Sequence, residues 1–112
     1  NTPLQALTLL NGSIFVDAAR QLGSQLAQAN GSVSEKVRTV YLRALGRKPN
    51  EFEAKRVLAL HSKLSKLFQD DQDAATQLTT GLELKGRTVV EVAAWVTVAR
   101  TVLNLDEVIT RE

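Results

Sequence analysis

Apolar residues recur along this chain at intervals of three and four, interrupted by short polar knots, a rhythm that predicts helices joined by tight turns. Leu4, Leu7 and Leu10 mark a short opening helix, entered through Thr2 as N-cap and Pro3 in the first turn. After Asn11-Gly12, Ser13 is placed to cap a second helix whose apolar face is Phe15, Ala18, Ala19, Leu22, Leu26 and Ala29. Ala18, Ala19 and Gly23 are small enough for a neighbouring helix to approach closely. Asn30-Gly31-Ser32 is turn chemistry, and Ser32 with Glu35 matches a capping box, in which each side chain satisfies the other residue's free amide. The helix that follows should line its inner side with Val37, Val40, Tyr41, Ala44 and Leu45, directing Lys36, Arg38 and Arg43 elsewhere.

The stretch ALGRKPNEFEAKR, Ala44 to Arg56, reads as the corner of a helical hairpin. Gly46 can take the left-handed C-cap conformation without strain, Pro49 prevents continuation, and Asn50 with Glu53 repeats the capping box. Arg43, Arg47 and Lys48 fall where cations meet the unpaired carbonyls of a helix end. The next helix, from about Glu51 to Phe68, should bury Phe52, Val57, Leu60, Leu64, Leu67 and Phe68. His61 lies beside that stripe as a packed residue, with no chemistry assigned to it. Asp73 is expected to cap a short helix through Ala74, Ala75 and Leu78, closed by Gly81. From Thr88, again followed by an acid at Glu91, a segment apolar nearly all round runs to Leu103. A helix of that kind belongs at the centre of a fold.

Composition narrows the chemistry. The 112 residues suit one domain, 44% hydrophobic but only 4% aromatic, so the core rests on Leu, Val, Ala and Ile. There is no Cys and a single His, which removes disulfides, thiol nucleophiles and the usual zinc ligand sets. No apolar run reaches a membrane span of roughly 18 residues. The first residue is Asn and Met is absent, from which a piece of a longer chain is expected.

Net charge is only +2, but between Lys36 and Lys66 nine cations stand against Glu51 and Glu53, leaving five cations against ten acids elsewhere. Arg38, Arg43, Arg47, Lys48, Lys55 and Arg56 form a candidate basic face. A polyanion is the partner such a face would take, although nucleic-acid modules usually interleave aromatics that are missing here. GLELKGRT, Gly81 to Thr88, has the spacing of a phosphate loop, but Arg87 replaces the lysine and a helix precedes it where a strand is required. Asp70, Asp71 and Asp73 lack the rest of a calcium loop. Asn11-Gly12-Ser13 and Asn30-Gly31-Ser32 fit a glycosylation sequon, yet two helix junctions need the same residues. No nucleophile, base and acid can be named together, so no catalytic residue, cofactor or metal ligand is assigned to this domain.

One polar cluster stands out. Arg100 is the one cation of the apolar segment, and Asn104, Asp106 and Glu107 follow where the helix is expected to break or tighten. If buried, Arg100 needs a carboxylate, from Asp106 or Glu107 or from the more distant Asp17.

Three motifs carry a resemblance: NTPLQALTLLNG at the start, VYLRALGRKPNEFE in the middle and VARTVLNLDEVITRE at the end. Together they resemble the C-terminal domain-of-unknown-function family 1553, the PSD1 type, of large planctomycete proteins. One departure is visible, since many members carry Asp-Pro where this chain has Gly12-Ser13. The resemblance implies a C-terminal module of a long exported protein, periplasmic or secreted, often with a c-type haem domain and a second uncharacterised domain upstream. It carries over no catalytic residue.

The expected architecture is an all-α antiparallel bundle of about five principal helices around Thr88 to Leu103. The leading function is a structural or interaction module, without enzymatic activity of its own, partnered by upstream domains with haem or polysaccharide-degrading roles. A second is an accessory part of an active site completed upstream, using Arg100, Asn104, Asp106 and Glu107. A third is polyanion binding by the Lys36 to Lys66 hairpin.

Overall fold

From Ser13 the chain is a run of helices, with no strand among the described residues. The structure, a computed structural model, describes the backbone of residues 13–110 and the side chains of residues 16–105. The expected opening helix and the side chains of Phe15, Asp106 and Glu107 lie outside that range. Five helices follow in order: α1 (Ser13–Gln28), α2 (Val33–Leu45), α3 (Glu51–Asp70), α4 (Gln72–Leu78) and α5 (Val89–Thr110). They form an all-α bundle in which α5 touches each of the other four.

The junctions follow the predicted stop and start chemistry. Ser32 and Glu35 form a reciprocal capping box at the head of α2, and Asn50 with Glu53 forms another at the head of α3. Gly46 closes α2 at φ 75°, its N–H donating to the Leu42 carbonyl at 3.0 Å. At α5, the Glu91 N–H donates to Thr88 Oγ1 at 3.1 Å while Glu91 Oε1 accepts from the Thr88 N–H at 3.3 Å. The short helix begins two residues earlier than expected. Asp71, rather than Asp73, is the N-cap of α4, accepting from the Ala74 N–H at 3.1 Å, because Asp71 also ends α3 and one residue does both jobs.

Packing confirms α5 as the core element. Val92, Ala93, Ala94, Val98, Ala99 and Val102 are fully buried, with Trp95 and Val96 nearly so. Thr97 and Thr101 keep their hydroxyls satisfied by donating to the carbonyls of Ala93 and Thr97 at 3.0 and 2.9 Å. Against this helix α1 presents Ala19, Gly23, Leu26 and Ala27, α2 presents Val37, Val40 and Tyr41, and α3 presents Val57 and Phe68. Small residues on α1 do permit close approach, at Ala19 and Gly23; Ala18 is exposed, and so is Ala29, which follows the end of α1.

The buried face of α3 is narrower than expected and that of α2 wider. On α3, Phe52 is 68% exposed and Leu67 53%. At about 100° per residue, Phe52 lies about 140° round the helix from Val57 and Leu67 about 80°, whereas Leu60, His61, Leu64 and Phe68 stay within about 60° of it. On α2, Lys36 is not turned outwards: it is 9% exposed, one helical turn from Val40 on the inner face.

Candidate functional site

The corner between α2 and α3 is built as a hinge of hydrogen bonds. Arg47 forms a two-pronged pair with Glu53, Nη1 to Oε1 and Nη2 to Oε2, both at 2.8 Å, and Glu53 Oε1 also accepts from the Asn50 N–H at 2.9 Å. The Arg47 hydrogen bonds first, and the Asn50 amide second, hold the Glu53 carboxyl down at about 2. The Arg47 guanidinium also lies 5.6 Å from the centre of the Tyr41 ring. Arg38, Arg43, Lys48, Lys55 and Arg56 are all exposed, and Arg43 donates to Gln25 Oε1 at 2.7 Å. The basic face is thus a surface, though one of its cations is already committed to Glu53.

Beside that corner lies a groove of about 520 Å³ between α2, α3 and α5, lined by Tyr41, Phe52, Arg56, Val57, Leu60 and Leu105 among others. Phe52 stands at its edge beneath the Arg56 guanidinium, 5.6 Å from the ring centre, and Leu105 is 40% exposed. The lining is predominantly apolar.

A second cleft, of about 530 Å³, occupies the other end of the same three helices. Lys36 from α2, His61 and Ser65 from α3, and Thr88 to Glu91 with Trp95 at the start of α5 contribute to its wall. The Lys36 ammonium lies 5.9 Å from the centre of the Trp95 ring and reaches the Ala27 carbonyl at 3.4 Å, near the end of α1 where helix carbonyls lack partners. Burial lowers its pKa, the Arg87 charge acts in the same direction, and Glu91 opposes both. His61 packs its ring 4.4 Å from that of Trp95 at 34°, and burial, then the Lys36 charge, pull its pKa down.

Of the C-terminal polar cluster, the side chains described are Arg100 and Asn104. Arg100 and Asn104 are exposed, Asp17 is exposed on α1, and α5 continues through Asn104 to Thr110 without a break. The two ion pairs among the described residues are Arg47–Glu53 and Arg87–Glu91. Thr97, Arg100, Thr101 and Asn104 recur at i, i+3, i+4 and i+7, a polar stripe that turns the arginine to solvent instead of burying it.

A seam that the sequence reading passed over joins α1 to the α4–α5 connection. Arg20 donates through Nε to the Leu78 carbonyl at 3.3 Å and through Nη2 to that of Thr80, and Gln28 Nε2 donates to the Glu83 carbonyl at 2.8 Å. Ser24, between them, donates to Glu83 as well at 3.4 Å. These residues stand four apart on one helix face, and they satisfy two carbonyls just before Gly81–Thr88, the stretch with phosphate-loop spacing, and one within it, that of Glu83. That segment instead carries left-handed residues at Gly81, Lys85 and Gly86, with no strand before it.

Fold and surfaces together define an all-helical domain with two clefts on one three-helix face. Among the described residues no three His, Cys, Asp or Glu side chains are grouped to hold a metal ion, and no helix is long and apolar enough to cross a membrane. The family model for PSD1, a protein of unknown function (DUF1553), matches residues 1–61, and the chain belongs to that family. The match contains the first two resembling motifs and ends within α3, short of the third. No curated protein and no solved structure matches the chain.

Proposed function

We propose that this chain is a non-enzymatic interaction module of a larger extracytoplasmic bacterial protein. In this reading it docks its Phe52–Leu105 groove onto an apolar anchor carried by an acidic segment of a neighbouring domain. The observation that carries the reading is the 68% exposure of Phe52 at the edge of a groove whose floor is Tyr41, Val57 and Leu60. A large aromatic left uncovered beside apolar walls is the anatomy of an interface centre rather than of a solvated face. Charge selects the partner: the hairpin that frames the groove carries exposed Arg38, Arg43, Lys48, Lys55 and Arg56, so acidic residues around the anchor complement it. Placement outside the cytoplasm, beside haem or polysaccharide-degrading domains, is supported by the three sequence motifs. Polyanion binding by the same cations leaves the exposed Phe52 and Leu105 unexplained and is the weaker reading.

A photo-crosslinking amino acid in place of Phe52, introduced into the full natural protein, tests the proposal. The expected product is an internal crosslink to an acidic segment bearing an exposed apolar side chain, located by mass spectrometry. Crosslinks to no protein segment, or only to basic ones, would overturn it.

A further inference from the structure

Lys36 presents an unusual balance. Its side chain is 9% exposed, no carboxylate comes within ion-pair distance among the described residues, and its single hydrogen bond, to Ala27, is long at 3.4 Å. A buried ammonium has three N–H donors to satisfy, so two are left for something else. Glu91, the acid whose charge acts on Lys36, is occupied: Oε1 accepts from the Thr88 N–H and hydroxyl, and Oε2 faces Arg87 at 3.8 Å. The same cleft is walled by the first turn of α5, where the capping box satisfies Thr88 and Glu91 but leaves the N–H groups of Val89 and Val90 without an acceptor among the described residues. Helix N-termini of this kind favour anions. Val33, Val89, Val90 and Trp95 supply apolar wall around these donors.

We propose that this cleft binds a small organic monoanion, a carboxylate on an apolar body, with the Lys36 ammonium and the open N–H groups at the start of α5 as its donors. One uncompensated cation beside Glu91 suits a single negative charge better than a phosphate dianion. The apolar wall suits the body of the ligand. This site is separate from the Phe52 groove and stands or falls independently of it.

Trp95 is the chain's only tryptophan and lines the cleft, so its fluorescence reports occupancy directly. Titration with benzoate at constant ionic strength should give a saturable change, while benzamide, uncharged and of the same shape, gives none. Lys36→Met, with its fold checked by circular dichroism, should weaken benzoate by about tenfold or more, the loss of one charge-assisted hydrogen bond. Should that variant fail to fold, the wild-type comparison of benzoate with benzamide still decides. An equal response to both compounds, no saturation with benzoate, inorganic phosphate competing as well as benzoate, or unchanged affinity in a folded Lys36→Met would each overturn the assignment.

Discussion

A Cβ placed on Gly23 would stand 2.5 Å from the backbone nitrogen of Val96, closer than any real side chain approaches backbone. The two helices α1 and α5 therefore meet main chain to main chain, and α1 is the element most extensively packed on the core helix. Gly23→Ala would ordinarily gain up to about 1 kcal/mol in a helix interior. Here the obstacle is backbone and cannot rotate aside, so overpacking reverses the sign, with an expected loss of about 3 kcal/mol, the upper end for such substitutions. A thermal melt followed by circular dichroism should fall by about 10 °C or more; an unchanged or raised midpoint contradicts the close contact.

How much of this could be read beforehand depends on the kind of signal. Capping boxes at Ser32–Glu35, Asn50–Glu53 and Thr88–Glu91 are local, four residues long, and appear in the structure as expected. The centrality of α5 was legible because a segment apolar on every side has nowhere else to go. Residue type points Lys36 outwards although its spacing from Val40 places it inside, and the apolar surroundings of Arg100 suggest a paired, buried arginine although Thr97, Thr101 and Asn104 share its stripe. In both cases position outweighed chemistry. Phe52 obeys the same rule: its character argued for burial, its angle against, and the angle prevailed. What no pattern could supply is the pairing of distant segments, such as Arg20 with Leu78 and Thr80, or Lys36 with Trp95, since these depend on which helix faces meet.

The α2–α3 corner should be acid-labile in a defined window. Glu53 has its folded-state value lowered to about 2, from an ordinary 4.5. Stability from its ionised form is therefore complete above about 4.5 and is lost as pH falls through about 2. Arg47 is 46% exposed, so solvent screens the pair and the effect is modest. Glu53→Gln should lower the melting temperature at pH 7 by a few degrees and leave the melting temperature at pH 2 close to that of the wild type. Asn50→Ala removes the cap acceptor and should cost about 1 kcal/mol at neutral pH. Parallel melts of the three proteins at pH 2 and pH 7 check both statements.

His61 gives a second pH dependence, at higher pH. Its pKa is pulled below the ordinary 6.5 by burial and by Lys36, so between the two values the unfolded chain takes up a proton that the folded one does not. Stability should be full above about 6.5 and decline as pH falls from there towards the lowered value. Titration of the His61 ring protons by NMR should give a midpoint below 6.5. His61→Phe, which keeps an aromatic ring against Trp95, should flatten that part of the stability profile; a wild-type slope persisting in the variant assigns it to another group.

Phe52 separates folding from docking. Its ring is 68% exposed in the first turn of α3, where its one specific neighbour is the Arg56 guanidinium at 5.6 Å. Phe52→Ser removes little buried area and an exposed cation–π contact, so the chain should lose less than about 1 kcal/mol of stability. Val57→Ala, five residues on and 6% exposed, empties core volume and should cost roughly 1 to 3 kcal/mol. In the full natural protein the order should invert for domain docking: Phe52→Ser releases the domain, seen as faster proteolysis of the connection to its neighbours, at a temperature where Val57→Ala remains folded and docked. Proteolysis unchanged by Phe52→Ser would leave the groove without an interface role, because the variant keeps the fold and changes only what the groove offers to a partner.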